Sequence, residues 1–147
     1  MKRVILVLFV AFLVIGCASG PKLGKPTSDQ QKWNVLPEIN VDGRSLKFEF
    51  GGDTWTAKNN GEYLWAGTYT SSIGGERSAP NPDITNLTLR RTHEYSPGKG
   101  WKKIPSERPQ GPIALQYNNI QGTMEWDPSR QRASPTGASA NRTPQAL

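Results

Sequence analysis

The side chains that could do chemistry are few in this sequence and mostly stand alone. Cys17 is the only cysteine and His93 the only histidine among the 147 residues, so no cysteine pair or histidine cluster is available to bind a metal. The acidic residues are spread singly, and the chain contains no Gly-x-Ser-x-Gly motif and no phosphate-binding glycine loop. Two carboxylates from distant strands could still form a glycosidase site. The sequence nevertheless favours a protein that is not an enzyme and that uses no cofactor.

One short segment carries side chains that could bind an anion. If Leu89 points into a core, strict alternation along a strand also turns Arg91, His93 and Tyr95 inward. A buried arginine without a partner is costly, so it would need a carboxylate or an anionic ligand. These three residues would then line the mouth of a barrel and bind an anionic group. The alternative is that a bulge near Arg90 shifts the register, or that the strand leaves the core there.

Basic residues are concentrated between positions 90 and 108, where Trp101 lies among them. Such a surface could contact anionic lipid headgroups, lipopolysaccharide or acidic polysaccharide through electrostatic attraction. The alternative is a solvated hairpin with ordinary surface lysines. The basic surface predicted here consists of Arg90, Lys99, Lys102, Lys103 and Arg108.

Aromatic residues fall on one face of several predicted strands, and Trp55 and Trp65 are the largest of the central ones. They could form the core of a small domain or wall an apolar pocket for a ligand. A pocket with Trp55 and Trp65 in its wall, next to Arg91, His93 and Tyr95, is the ligand site that the sequence predicts.

The elements that would position these side chains are β-strands. Leu46, Phe48 and Phe50 alternate with Lys47 and Glu49, which is the period of two expected of a strand with one buried face. The residues between 71 and 83 are predicted to form a long loop, and no segment shows a helical period. Further strands are predicted at 54–58, 62–70, 84–95, 101–104, 113–117 and 120–126.

Tight turns join these strands in sequence order. Gly51-Gly52-Asp53, Asn59-Asn60-Gly61 and Asn118-Asn119 contain residues that tolerate positive φ. Short strands joined in this way indicate an all-β, antiparallel meander, which closes most simply as a small up-and-down barrel or half-barrel. Either the strand at 120–126 closes the barrel, or the sheet keeps an open edge that invites a partner strand.

Two short motifs resemble the lipocalin-like domains of small bacterial lipoproteins. They are Phe50-Gly51-Gly52-Asp53-Thr54-Trp55-Thr56 and Gly67-Thr68-Tyr69-Thr70, and the segment 84–89 would be the strand that follows. The resemblance covers roughly residues 44–126 and implies a lipocalin-like β-barrel. Fold alone does not specify a function.

The N-terminus carries an export signal. A short basic start precedes the apolar run Val4–Ile15, which is too short to span a bilayer and fits the hydrophobic region of a signal peptide. Val14-Ile15-Gly16-Cys17 resembles the lipobox of bacterial lipoproteins. The resemblance implies diacylglyceryl transfer to the Cys17 thiol, cleavage after Gly16 and acylation of the new amino group. The alternative is an ordinary secretory signal whose cysteine is coincidental.

The composition of the remaining segments predicts four regions. Residues 1–16 are the signal peptide, and residues 17–32 are a lipidated cysteine followed by a flexible tether. Residues 33–127 are the β domain, and residues 128–147 are a disordered tail with too little apolar surface to fold. Ala18, rather than an aspartate, follows the cysteine, and in enterobacterial lipoproteins this favours the outer membrane.

The sequence therefore predicts a lipid-anchored cell-envelope protein that binds a small apolar or amphipathic ligand. The alternative is a structural or adhesive surface lipoprotein without a pocket, contacting anionic lipids, polysaccharide or a protein partner. The formal net charge of +6 favours anionic surfaces, but an exported protein is not expected to bind nucleic acid. A cavity lined by the aromatic residues would support the first function, and a filled interior would support the second.

Overall fold

The structure, a computed structural model, describes residues 20–76, 78–106 and 110–131. Within these ranges no helix combines the length and the apolar character that crossing a bilayer requires. The helices are α1 (Ser28–Asn34) and α2 (Pro128–Gln131), and the strands are β1 (Ile39–Val41), β2 (Arg44–Gly51), β3 (Thr54–Asn59), β4 (Glu62–Glu76), β5 (Ala79–Ser96), β6 (Gly100–Lys103), β7 (Ile113–Asn118) and β8 (Thr123–Trp126).

The strands form one antiparallel sheet in the order β1-β2-β3-β4-β5-β7-β8, and β6 pairs with β5 beside this path. The two ends of the order, β1 and β8, approach each other, so the sheet curls into a nearly closed barrel. In the described part of the chain, β8 forms a ladder only with β7. The prediction of an all-β antiparallel meander is confirmed.

The turns follow the sequence signals closely. Asn60 and Gly61 both have positive φ, at 52° and 80°, as a two-residue turn between twisted strands requires. The same geometry occurs at Asp42 and Gly43. These turns place β1 to β4 next to one another in sequence order.

The interior of the barrel is filled by apolar side chains from the strands and from α1. Trp33 of α1 contributes its indole, whose ring centre lies 5.5 Å from that of Phe50. The buried cluster consists of Trp33, Ile39, Val41, Leu46, Phe48, Phe50, Trp55, Ala57, Leu87, Leu89, Ile113, Leu115 and Tyr117.

The prediction of a flexible tether up to residue 32 is wrong for its second half. A capping box formed by Thr27 and Gln30 begins α1, and Gln30 Nε2 donates a hydrogen bond to the Gly52 carbonyl oxygen at 2.5 Å. Gln30 and Trp33 are both buried. Seven residues are too few to show a helical period, so the capping signal at Thr27 was the only sequence cue. Residues 17–19 lie outside the described residues.

The predicted loop between 71 and 83 is also wrong. β4 and β5 continue through most of it as a long hairpin, in which Ser72 pairs with Asn86 and Gly75 with Pro80. Ile73 is 64% exposed. This part of the hairpin is polar on both faces, so alternation of apolar residues could not reveal it.

The last strand is shorter than predicted. Ile120 lies in a turn and is 74% exposed, because the Asn118 side chain accepts hydrogen bonds from the backbone N–H groups of Ile120 and Gln121. Thr123–Trp126 remains as the strand beside β7.

The tail that was predicted to be disordered from residue 128 begins with α2. Asp127 accepts a hydrogen bond from Arg130 Nε at 2.8 Å. Hydrogen bonds from the Ser129 and Arg130 side chains hold the pKa of the Asp127 carboxyl below its usual range. Residues 132–147 lie outside the described residues.

Candidate functional site

The barrel interior is a packed core where the sequence had allowed a pocket. Trp55 is 1% exposed, and its Nε1 donates a hydrogen bond to the Thr68 carbonyl oxygen at 3.0 Å. Three cavities stand out in the described part of the chain, and neither Trp55 nor Trp65 lines any of them. The sites available to a partner are therefore on the outside of the barrel.

Two arginines lie over the Trp65 ring. The guanidinium carbon of Arg91 is 4.7 Å from the ring centre, and that of Arg44 is 5.3 Å from it. Arg91 Nη2 donates a hydrogen bond to the Gly111 carbonyl oxygen at 3.0 Å, while its buried Nε has no hydrogen-bond partner among the described residues. Burial, and then the positive charge of Arg44, lower the pKa of Arg91 from its usual value.

In the described ranges, neither Arg91 nor Arg44 forms an ion pair with a carboxylate. Arg91 is half-buried on the inner face, as alternation from Leu89 predicts. Its charge is accommodated by the face of the Trp65 ring and by one backbone carbonyl. Arg91 lines none of the three cavities, and its contacts are with the Trp65 ring and the Gly111 carbonyl oxygen.

A β-bulge separates Arg91 from the other two residues of the predicted anion site. Gly67 pairs with Arg91 and Ala66 with His93, which leaves Thr92 as an extra residue in β5. The register shift turns His93 and Tyr95 to the outer face. Arg91, His93 and Tyr95 therefore do not line a common mouth, and the alternative of a bulge in this region is the correct one.

Gly67 is what allows this bulge. A Cβ atom at this position would lie 1.8 Å from the Arg90 carbonyl oxygen, so only glycine lets the two backbones approach so closely. On the other side of the bulge, the Thr92 hydroxyl contacts His93 Nδ1 at 2.8 Å.

The outer face at the end of β5 carries a cluster of three aromatic rings, which we call the aromatic cluster. Tyr95 and Trp101 have ring centres 5.3 Å apart, and Tyr63 lies 5.3 Å from Trp101 and 6.1 Å from Tyr95. Tyr63 is 39% exposed, and the other two rings are half-buried. Lys58 Nζ lies 4.6 Å from the centre of the Tyr63 ring.

Two exposed lysines of the predicted basic surface, Lys99 and Lys103, lie beside this cluster. Lys103 is on β6, paired with His93, and Lys99 is in the turn between β5 and β6. Lys102, paired with Glu94, projects from the opposite side of β6, so it does not share this face as the sequence had suggested. Glu94 forms no ion pair with these lysines in the described structure. We call the aromatic cluster together with Lys99 and Lys103 the hairpin face.

Sequence reasoning missed one contributor to the hairpin face, the start of the described chain. A Cβ atom on Gly20 would lie 2.1 Å from Cδ1 of the Trp101 indole, so the Gly20 backbone rests directly on that ring. The chain then reaches the β2–β3 turn, where Gly24 N–H donates to the Gly51 carbonyl oxygen at 3.1 Å. No pattern in residues 18–25 indicated this contact.

Arg90 is separated from the lysines and lies in a groove on the outer face of β4, β5 and β7. The groove has a volume of about 960 Å³. Arg130 also lines it, but its guanidinium is engaged by Asp127 and by the Leu115 carbonyl oxygen. Arg108 of the predicted basic surface lies outside the described residues. The remaining walls come from Thr68, Tyr69, Thr70, Thr88, Gln110, Gly111, Pro112 and Ala114.

The described residues contain no group of three or more His, Cys, Asp or Glu side chains that could hold a metal ion. Comparison of the chain with protein-family models, with curated proteins and with solved structures gave no match.

Proposed function

We propose that the chain is a lipid-anchored cell-envelope protein, held by acylated Cys17, which works through the outer surface of a filled barrel. The partner is an anionic component of the envelope, and the outer membrane is the location that Ala18 favours. This is the pocketless alternative of the two functions that the sequence allowed.

The observation that carries this proposal is the filled interior. Trp33, Phe50 and Trp55 occupy the space where a lipocalin-like domain would hold a ligand, and each is at most 8% exposed. A ligand could enter only by displacing this core, at a cost of several kcal/mol. Binding at the surface requires no such rearrangement.

The hairpin face is the surface best suited to an anionic partner. Its two exposed lysines, Lys99 and Lys103, supply positive charge, and its aromatic rings supply flat apolar area that can pack against a sugar or an acyl chain. The acids near it, Glu62 and Glu94, leave these lysines unpaired in the described structure.

The test is binding of residues 18–147, produced without the signal peptide and therefore without acyl chains, to anionic vesicles, lipopolysaccharide and an acidic polysaccharide, at low and high salt. Without the acyl chains, which would bind any vesicle regardless of charge, Lys99→Gln with Lys103→Gln should reduce binding to the true partner at least tenfold, and high salt should do the same. The matched control is Lys25→Gln with Lys32→Gln, which removes two exposed charges near the β2–β3 turn. Binding that resists both salt and the double substitution would contradict the proposal.

The groove around Arg90 favours a second candidate, binding of a small amphipathic anion. About 960 Å³ is enough for a drug-sized molecule, and Arg90 supplies a cation without an ion-pair partner in the described residues. Native mass spectrometry of the intact chain should then show an added mass that Arg90→Gln removes. A bare mass in both proteins, after purification from a bacterial envelope, would exclude this candidate.

A further inference from the structure

We propose that the hairpin face lies on the bilayer that holds the lipid of Cys17, with its aromatic rings at headgroup level and its lysines against anionic phospholipid. This inference rests on the proposed lipid anchor and adds an orientation to it. The barrel would then contact the membrane through one defined face, instead of moving freely at the end of a flexible tether.

The chain between Cys17 and the hairpin face is short. Gly20 rests on the Trp101 ring, and only Ala18 and Ser19 lie between Gly20 and Cys17. The three Cα-to-Cα steps from Cys17 to Gly20 span at most roughly 10 Å, even when fully extended. An anchor on Cys17 therefore brings Trp101 close to the headgroup region, because the connecting chain is too short to hold it elsewhere.

The chemistry of the hairpin face suits a membrane interface. Tyrosine and tryptophan are the side chains that concentrate at membrane interfaces, because each has an apolar ring and a polar group. The aromatic cluster combines two tyrosines and a tryptophan within about 6 Å of one another. Lys99 and Lys103 are exposed beside it, and lysines attract anionic headgroups at short range.

The short distance to the bilayer favours a membrane over a polysaccharide as the partner of the hairpin face. A face within roughly 10 Å of the bilayer leaves little room for a hydrated sugar chain between protein and lipid. The groove at Arg90 lies further along β4 and β5, away from the β5–β6 turn. A soluble partner would meet that part of the barrel first.

The experiment uses fluorescent labels on the intact lipoprotein in vesicles of phosphatidylethanolamine and phosphatidylglycerol. Because Cys17 is the only cysteine and its thiol is acylated, an introduced cysteine is the only free thiol. Lys99→Cys places a label on the hairpin face. Gln121→Cys places the control label in the β7–β8 turn, which lies beside the Asp83 end of β5, roughly 40 Å along the strand.

Lipids with a quencher in the headgroup should quench the Lys99→Cys label at least threefold more than the Gln121→Cys label. Equal quenching of the two labels, or stronger quenching of the Gln121→Cys label, would overturn the inference while leaving the anchor intact. If the Lys99→Cys label becomes shielded from solvent only after acidic polysaccharide is added, the inference would also be overturned, in favour of the polysaccharide as partner. A protein that fails to sediment with the vesicles would instead contradict the proposed anchor, and with it this inference.

A charge variant tests the lysines without using their positions for the label. With a label at Ser96→Cys, substituting Lys99 and Lys103 with glutamine should lower the quenching in phosphatidylglycerol vesicles several-fold. The Lys25→Gln, Lys32→Gln control should leave it unchanged. Equal loss in both variants would show that the lysines of this face have no specific contact with the headgroups.

Discussion

The guanidinium groups of Arg91 and Arg44 lie 4.7 Å and 5.3 Å from the centre of the Trp65 ring. Each cation gains from the negative face of the indole, and the gain is larger for Arg91 because it is desolvated. The inward direction of Arg91 follows from its spacing to Leu89 and was predictable. Its partner was not, because an aromatic ring on another strand leaves no signal in the sequence around Arg91.

Replacing Trp65 should lower the free energy of unfolding, because Arg91 depends on its ring. Trp65→Leu removes packing and leaves Arg91 partly buried without its principal stabilising contact, so the free energy of unfolding should fall by about 2–4 kcal/mol. Tyr63→Leu is the control, since Tyr63 also has one cation over its ring but is exposed, and it should cost below about 1 kcal/mol. Urea unfolding of both variants measures the difference, and equal losses would contradict this account of Arg91.

Among the elements, the bulge in β5 decides which side chains reach the surface. Without it, His93 and Tyr95 would point inward as predicted, and the aromatic cluster could not form. A glycine inside a strand is typical of a bend or bulge, and the register shift lies between Ala66 and Gly67. The extra residue of β5 could not be identified from the sequence. Arg91, Thr92 and His93 are all polar, so alternation of apolar residues does not distinguish them.

Gly67→Ala should therefore disrupt the β4–β5 pairing. The added methyl group would lie 1.8 Å from the Arg90 carbonyl oxygen, so the strands must separate, and the free energy of unfolding should fall by about 2–3 kcal/mol. Gly111→Ala is the matched control, because its Cβ would meet nothing within 4 Å. A Gly67→Ala protein as stable as the Gly111→Ala protein in urea would refute the close approach of the two backbones.

The contribution of α1 to the stability of the barrel can also be tested. If the helix belongs to the barrel, Trp33→Ala should lower the free energy of unfolding by about 3–5 kcal/mol, as expected for a buried tryptophan. Val35→Ala just after the helix, at a side chain that is 80% exposed, should change it by less than about 0.5 kcal/mol. Thermal or urea unfolding provides the comparison, and two equally mild variants would restore the tether interpretation for this segment.

For the molecule as a whole, the meander and its nearly closed barrel were predictable because each hairpin carries its own turn signal, such as Asn60-Gly61. The filled interior was not predictable, because Trp33 enters from a helix that has no apolar period. The hairpin face depends on contacts between Gly20, Tyr63, Tyr95 and Trp101, which are distant in sequence. The proposed function rests on this assembly: a filled core, and one face next to the chain that leads to Cys17.

The central claim is the lipid anchor, since both the surface function and the orientation depend on it. Mass spectrometry of the intact protein, extracted from bacterial membranes after expression of the full chain, tests it most directly. The account predicts a chain that begins at Cys17 and carries the added mass of a diacylglyceryl group, with Cys17→Ser giving neither the cleavage nor the added mass. A chain cleaved elsewhere, or one that begins at Cys17 with a free thiol, would contradict it.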